Sequence, residues 1–172
     1  MTKEELFELI ESWENLPYLL NEISKNPKFY SLLIEIALYN RNRKSWRAAY
    51  LADKINDNNP ELLQPYLNEI IEQVKIEKND GKKRHFLKLI SMNELPVKQQ
   101  GFMLDYCMKT LTSAKEPLAV RVHAMQILYN ISEKEPDLKN EILAIFEHEM
   151  ENHSSPGIIS RGKKLVQKLR KQ

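Results

Sequence analysis

PLAVRVHAMQILYNISEKEP, Pro117 to Pro136, reads as the second helix of a two-helix repeat, and the rest of the chain reads as imperfect copies of its surroundings. Arg121 in this stretch has counterparts at Arg47, Arg84 and Arg161, at steps of 37, 37 and 40 residues. Pro27, Pro60, Pro96 and Pro136 precede those arginines in chain order by 20, 24, 25 and 25 residues. A proline suits a helix's first turn, where its missing amide proton has no helical partner to lose. Each unit is therefore expected to run from proline through an apolar-periodic helix and a polar turn to an arginine that opens a second helix.

This spacing sets the expected boundaries. Residues 1–26 form an N-terminal cap and residues 27–59, 60–95, 96–135 and 136–172 form four repeats of one domain. Thr2-Lys-Glu-Glu5 is a capping box, so a helix is predicted from there. Leu6, Leu9, Ile10 and Trp13 then fall on one face, which places Trp13 in the core, and a short second helix is expected over Tyr18 to Ser24. Six acids against two lysines in residues 1–26 suit the solvent-facing end of a stack. The predicted first helices are FYSLLIEIALY, ELLQPYLNEIIEQV, VKQQGFMLDYCMKTL and DLKNEILAIFEHEM; the second are SWRAAYLADKI, KKRHFLKLISM, AVRVHAMQILYNI and IISRGKKLVQKL. Leu62, Leu63, Tyr66, Leu67, Ile70, Ile71 and Val74 make a broad apolar stripe, as a helix needs when it packs on its partner and on a neighbouring unit. Pro65 fits only in the first turn. Ala48, Ala49, Ala52, Ala119 and Ala124 allow second helices a close approach.

A length of 172 residues is enough for one buried core. Four glycines leave few sites for tight turns or bulges, which favours an all-α chain. Cys107 is the single cysteine, so no internal disulfide forms, and its apolar neighbours mark it as a buried thiol. MTKEELFELIESW lacks the basic start and apolar run of a signal peptide. The longest apolar run, SLLIEIALY, is interrupted by Glu35 and falls well short of a bilayer span of roughly 20 residues. The expected location is cytoplasmic, and the sequons at Asn130 and at Asn152-His153-Ser154 carry no weight there.

The opening prolines, the arginine near the start of each second helix and VRVHAMQIL, similar to a V-R-x-x-A core, resemble HEAT-repeat proteins, the armadillo-type α-solenoids. The resemblance covers Pro27 to the C-terminus. It implies a right-handed α-α superhelix of about four helix pairs, curved, with second helices lining the concave side, and no catalytic act. In that family an acid before the arginine often joins a polar ladder between repeats; Asp80 and Glu116 stand at the matching place, whereas the units of Arg47 and Arg161 have no acid there.

No catalytic constellation is found, and no cofactor or metal is expected. His148 and His153 are five apart, so they diverge by roughly 140° around a helix and cannot share an ion. His85 and His123 each stand without a local nucleophile and read as packed or surface histidines. SSPG at 154–157 is too short for the glycine-and-serine-rich catalytic loop of fumarase-type lyases. Trp46 packs between units or presents its ring beside Tyr50.

Charge is the feature that leans toward function. Arg43, Lys44, Arg47, Lys82, Lys83, Arg84, Arg121, Arg161, Lys163 and Lys164 recur near the starts of second helices, where the helix macrodipole disfavours cations. They are the candidate partner-binding residues, a basic ridge, with the arginines themselves assigned to the ladder and the adjacent lysines to any contact. Two functions follow. One is a non-enzymatic scaffold whose concave face binds a protein or acidic peptide. The alternative is a nucleic-acid-binding HEAT-like protein related to the DNA alkylation-repair glycosylases, which the basic ridge and Trp46 suit and which are longer solenoids than this chain. A membrane partner is not expected: the basic C-terminal RGKKLVQKLRKQ reads as a last helix packed on its repeat.

Overall fold

Apolar residues at three- and four-residue spacing give ten α-helices and no strand among the residues described by the computed structural model, 1–152 and 155–172. His153 and Ser154, and with them the Asn152 sequon, the second histidine of the rejected metal pair and the first residue of SSPG, lie outside the described residues. The chain divides into two compact units, Met1–Asn93 and Glu94–Gln172.

In the first unit, α1 (Lys3–Ile10) and α2 (Leu16–Ser24) precede the pairs α3 (Pro27–Tyr39) with α4 (Trp46–Asn56) and α5 (Leu67–Val74) with α6 (Asp80–Ser91). Thr2 and Glu5 complete the expected capping box, and Asn26 and Asn79 cap α3 and α6 through their side-chain oxygens. First helix packs on second within each pair, and the second helices make their own row, α2 against α4 and α4 against α6. Small side chains permit that row: Ala48, Ala49 and Ala52 are wholly buried in α4. Leu33, Ile36, Leu51, Ile70 and Leu87 fill the space between the layers.

In the second unit, α7 (Gln100–Thr112) pairs with α8 (Leu118–Lys134) and α9 (Lys139–Asn152) with α10 (Pro156–Arg170); α8 also packs on α10, its neighbouring second helix. Cys107 is fully buried, as its apolar neighbours predict, and burial pushes its thiol well above the usual cysteine value.

The structure changes two local expectations. Pro60 and Pro136 open 3-10 turns, Pro60–Leu62 and Pro136–Leu138, and Pro96 caps a third, Val97–Gln99; of the four repeat-opening prolines only Pro27 begins an α-helix directly. A second such turn, Gln64–Tyr66, follows in the second repeat, so α5 starts at Leu67 and not at Glu61. Pro65 has no amide proton to donate to Glu61, and the regular i to i−4 ladder begins only past it. Trp13 is not core. The α-helix stops at Ile10, so the 3.6-residue period does not reach position 13; Trp13 opens a 3-10 turn and is 45% exposed.

Two helical glycines should respond oppositely to alanine. Gly101 has open space where a Cβ would stand, so Gly101→Ala should stabilise by about 0.4–1 kcal/mol through the unfolded chain's lost freedom. A Cβ on Gly162 would stand 2.5 Å from Met150 Sδ and 2.6 Å from its Cγ. Gly162→Ala should therefore cost about 1–3 kcal/mol by overpacking. Urea unfolding of both variants reads the two signs.

Candidate functional site

Three of the four arginines in the register, Arg47, Arg121 and Arg161, make contacts within the fold, whereas Arg84 is exposed. Arg47, one residue into α4, reaches back to the end of α1, where the last carbonyls of a helix have no helical partner. Its Nη1 donates to Glu11 O and, at 3.4 Å, to Ile10 O, while Asn15 Nδ2 donates to Leu9 O at 3.0 Å. The guanidinium thus closes α1, and it lies 4.7 Å from the centre of the Trp13 ring. Arg121 is 3% exposed; its Nε donates to Leu111 O, in the last turn of α7, at 2.8 Å, and its Nη2 donates to Glu149 Oε2 of α9 at 2.7 Å. Arg161 on α10 donates through Nη1 to Gln126 Oε1 on α8 at 2.9 Å. Asp80, the acid suggested for a ladder in the second repeat, is exposed at the first position of α6.

The other candidates separate by exposure. Arg43, Lys44, Arg84, Lys163 and Lys164 are exposed, Lys83 is half-buried and Lys82 is buried. Lys44 pairs with Glu11 at 3.6 Å. In the first unit Arg43 and Lys44 sit in the 3-10 turn before α4, and Lys83 and Arg84 are the fourth and fifth residues of α6, which packs on α4. Arg121 and Lys82 direct their charge into the protein and present none to solvent. In the second unit Lys163 borders a groove of about 400 Å³ between α9 and α10, with Met150, Val166 and Arg170.

Between the first unit's exposed cations lies a feature no motif announced. Trp46 and Tyr50 are one turn apart on α4, and Trp13 meets both, with ring centres 5.6 and 5.5 Å away. His85 of α6 stacks on Trp46 at 6.2 Å, 7° from parallel, and meets Tyr50 edge-on at 5.5 Å. Lys54 Nζ lies 5.6 Å over the Tyr50 ring. Gly81 makes the approach of α6 feasible, because a Cβ there would stand 3.0 Å from Trp46 Cβ. Of the two alternatives for Trp46, the packing one holds: its ring stacks on His85 of the next repeat, and it remains partly exposed beside Tyr50.

Beneath the rings His85 Nδ1 is 2.9 Å from Asp53 Oδ2, and Lys88 Nζ is 2.6 Å from Oδ1. Asp53 is 2% exposed. Burial works to raise its carboxyl, but hydrogen bonds from His85 and Lys88 outweigh it and hold the group below the ordinary carboxylate range. His85 is the packed histidine the sequence suggested, with a carboxylate that local spacing could not reveal. Among the described residues no three His, Cys, Asp or Glu side chains gather as a metal site, and no helix is long and apolar enough to cross a membrane.

The sign of the Asp53 shift fixes a pH test. Its folded-state pKa lies below the unfolded value of about 3.9, so its contribution is complete above that value and is lost as pH falls through the folded one. Asp53→Asn should lower stability near neutral pH by about 1–3 kcal/mol. It should also flatten the acid limb of stability against pH, measured by urea unfolding.

The same architecture is visible in comparison with known proteins. No curated protein and no solved structure matches the chain. The model of one family does, described as a HEAT repeat domain, and it aligns with residues 2–169. A match over nearly the whole length, on helix pairs carrying an arginine at the start of each second helix, identifies the chain as a member of the HEAT repeat family.

Proposed function

We propose that this HEAT repeat chain is a non-enzymatic scaffold that holds a protein or peptide partner on the second-helix surface of its first unit. One observation carries the reading: Trp13 is exposed against the partly exposed rings of Trp46 and Tyr50, with the exposed Arg43 and Lys44 in the turn before α4 and the exposed Arg84 next to His85, which stacks on Trp46. Tryptophan, tyrosine and arginine are the residues in which protein interfaces concentrate their binding energy. Cations over the faces of Trp13 and Tyr50 exclude a second cation there, so the complementary partner surface is acidic or neutral. Repeat proteins present such surfaces without catalytic machinery. The rings are held from beneath by Asp53, His85 and Lys88, which fixes their geometry before a partner arrives.

The partner is sought by capture from native cell extract on the immobilised chain, then measured purified. Trp13→Ala and Arg84→Glu, both at exposed positions, should each weaken it by roughly tenfold or more, and Arg84→Glu should do so while leaving the thermal midpoint unchanged. Undiminished binding by both variants would remove this surface from the account. The same rings and cations would suit stacked bases, so a labelled single-stranded oligonucleotide is the control. No binding is expected at low ionic strength; binding that weakens steeply with salt would replace the protein partner by nucleic acid.

A further inference from the structure

A second feature of the first unit lies at the other end of these helices' turns. The turn joining α3 to α4 and the turn joining α5 to α6 border a groove of about 620 Å³. Lys82 lies at its base, 4% exposed, and its Nζ donates to Asn40 O at 2.7 Å. An ammonium has three protons to donate, and a buried one ordinarily stands against a carboxylate. Among the described residues no carboxylate pairs with Lys82. The acid nearest in effect, Glu77, is committed to its own turn: Oε1 accepts from the amides of Lys78 and Asn79 at 3.0 and 2.9 Å, and Oε2 accepts from Gln73 Nε2 at 3.1 Å. Lys82 also stands in the first turn of α6, where the macrodipole disfavours a cation, and burial lowers its ammonium below the usual lysine value. The bond to Asn40 O helps to close α3, but it uses one of the ammonium's three protons and pairs its charge with no carboxylate.

The rim adds charge and apolar surface. Arg41 and Lys78 are exposed at the groove's edges, while Tyr39 and Ile76 line it at 55% and 71% exposure. An isoleucine that open beside a buried, incompletely used ammonium is a surface made for covering by something apolar that also brings negative charge.

We infer that this groove is a docking site for an extended peptide segment of the partner, whose carboxylate meets the Lys82 ammonium while a neighbouring apolar side chain covers Ile76 and Tyr39. The inference rests on the protein-partner reading above and names a separate contact for it. Arg41 and Lys78 steer the acidic segment in, and Lys82 supplies the charge-assisted hydrogen bonds that select a carboxylate over an amide.

The test is a titration of the full isotope-labelled chain, followed by NMR, with an acetylated, amidated hexapeptide of alternating Glu and Leu, and with its Gln and Leu counterpart. The Glu peptide should shift the resonances of Asn40, Ile76 and Lys82 saturably, and the Gln peptide should bind roughly tenfold more weakly or worse. Lys82→Met, which keeps the length of the side chain, should abolish the preference for Glu over Gln. Ile76→Ser, at an exposed position that leaves the fold intact, should weaken both peptides by roughly fivefold. Equal affinity for the two peptides, no groove shifts at millimolar peptide, or groove shifts produced instead by a single-stranded oligonucleotide would overturn the assignment. Shifts confined to Trp13, Trp46 and Tyr50 would also overturn it, while leaving the scaffold reading in place.

Discussion

The guanidinium groups of Arg47 and Arg121, near the starts of their second helices, hold the neighbouring helices in register. A helix leaves its last carbonyls unpaired, and a stack of short helices multiplies such ends in the interior. Arg47 takes the carbonyls that finish α1, and Arg121 takes one at the end of α7 while pairing with Glu149 of α9. A planar fork with several donors satisfies a carbonyl and a carboxylate at once and at fixed angles, which the rotating ammonium of a lysine does not impose. Hydrophobic layers supply most of the stabilisation, but an apolar face tolerates sliding; a buried fork with fixed partners does not.

With Arg47, Arg121 and Arg161 engaged within the fold, the surface is left to Arg84 and to residues outside the register. In the first unit those are the exposed Arg43, Lys44 and Arg84 around three aromatic rings, and the groove over Lys82. Both features lie where two repeats adjoin: α4 and α6 supply the rings Trp46, Tyr50 and His85, and two successive turns supply the groove. A single helix pair would present neither. Repetition therefore does more than lengthen the molecule, since each junction creates a surface with its own chemistry.

Much of this was legible in the chain. The arginine and proline registers mark the helix pairs because they record constraints that recur at fixed spacing, and the buried Cys107 followed from its neighbours. Trp13 was misplaced because periodicity extends a helix indefinitely, whereas the end of α1 is set by Asn15 and by Arg47, 37 residues along the chain from Ile10. The start of α5 was misplaced for a local reason, the missing amide of Pro65. Glu149, the buried acid on Arg121, and Asp53, the acid on His85, are 28 and 32 residues from their partners, and nothing local distinguishes them from the solvated acids around them. Lys82 looked like one more member of a basic ridge; only its burial separates it from Lys83 and Arg84 beside it.

The central claim, that Arg47 and Arg121 are interior ties, is tested most directly by a double-mutant cycle on Arg121 and Glu149, read by urea unfolding. Arg121→Met and Glu149→Leu should each cost about 3–5 kcal/mol, because each removes one side of a buried ion pair, and the double variant should be no less stable than either. Costs below about 0.5 kcal/mol, or costs that simply add, would contradict it.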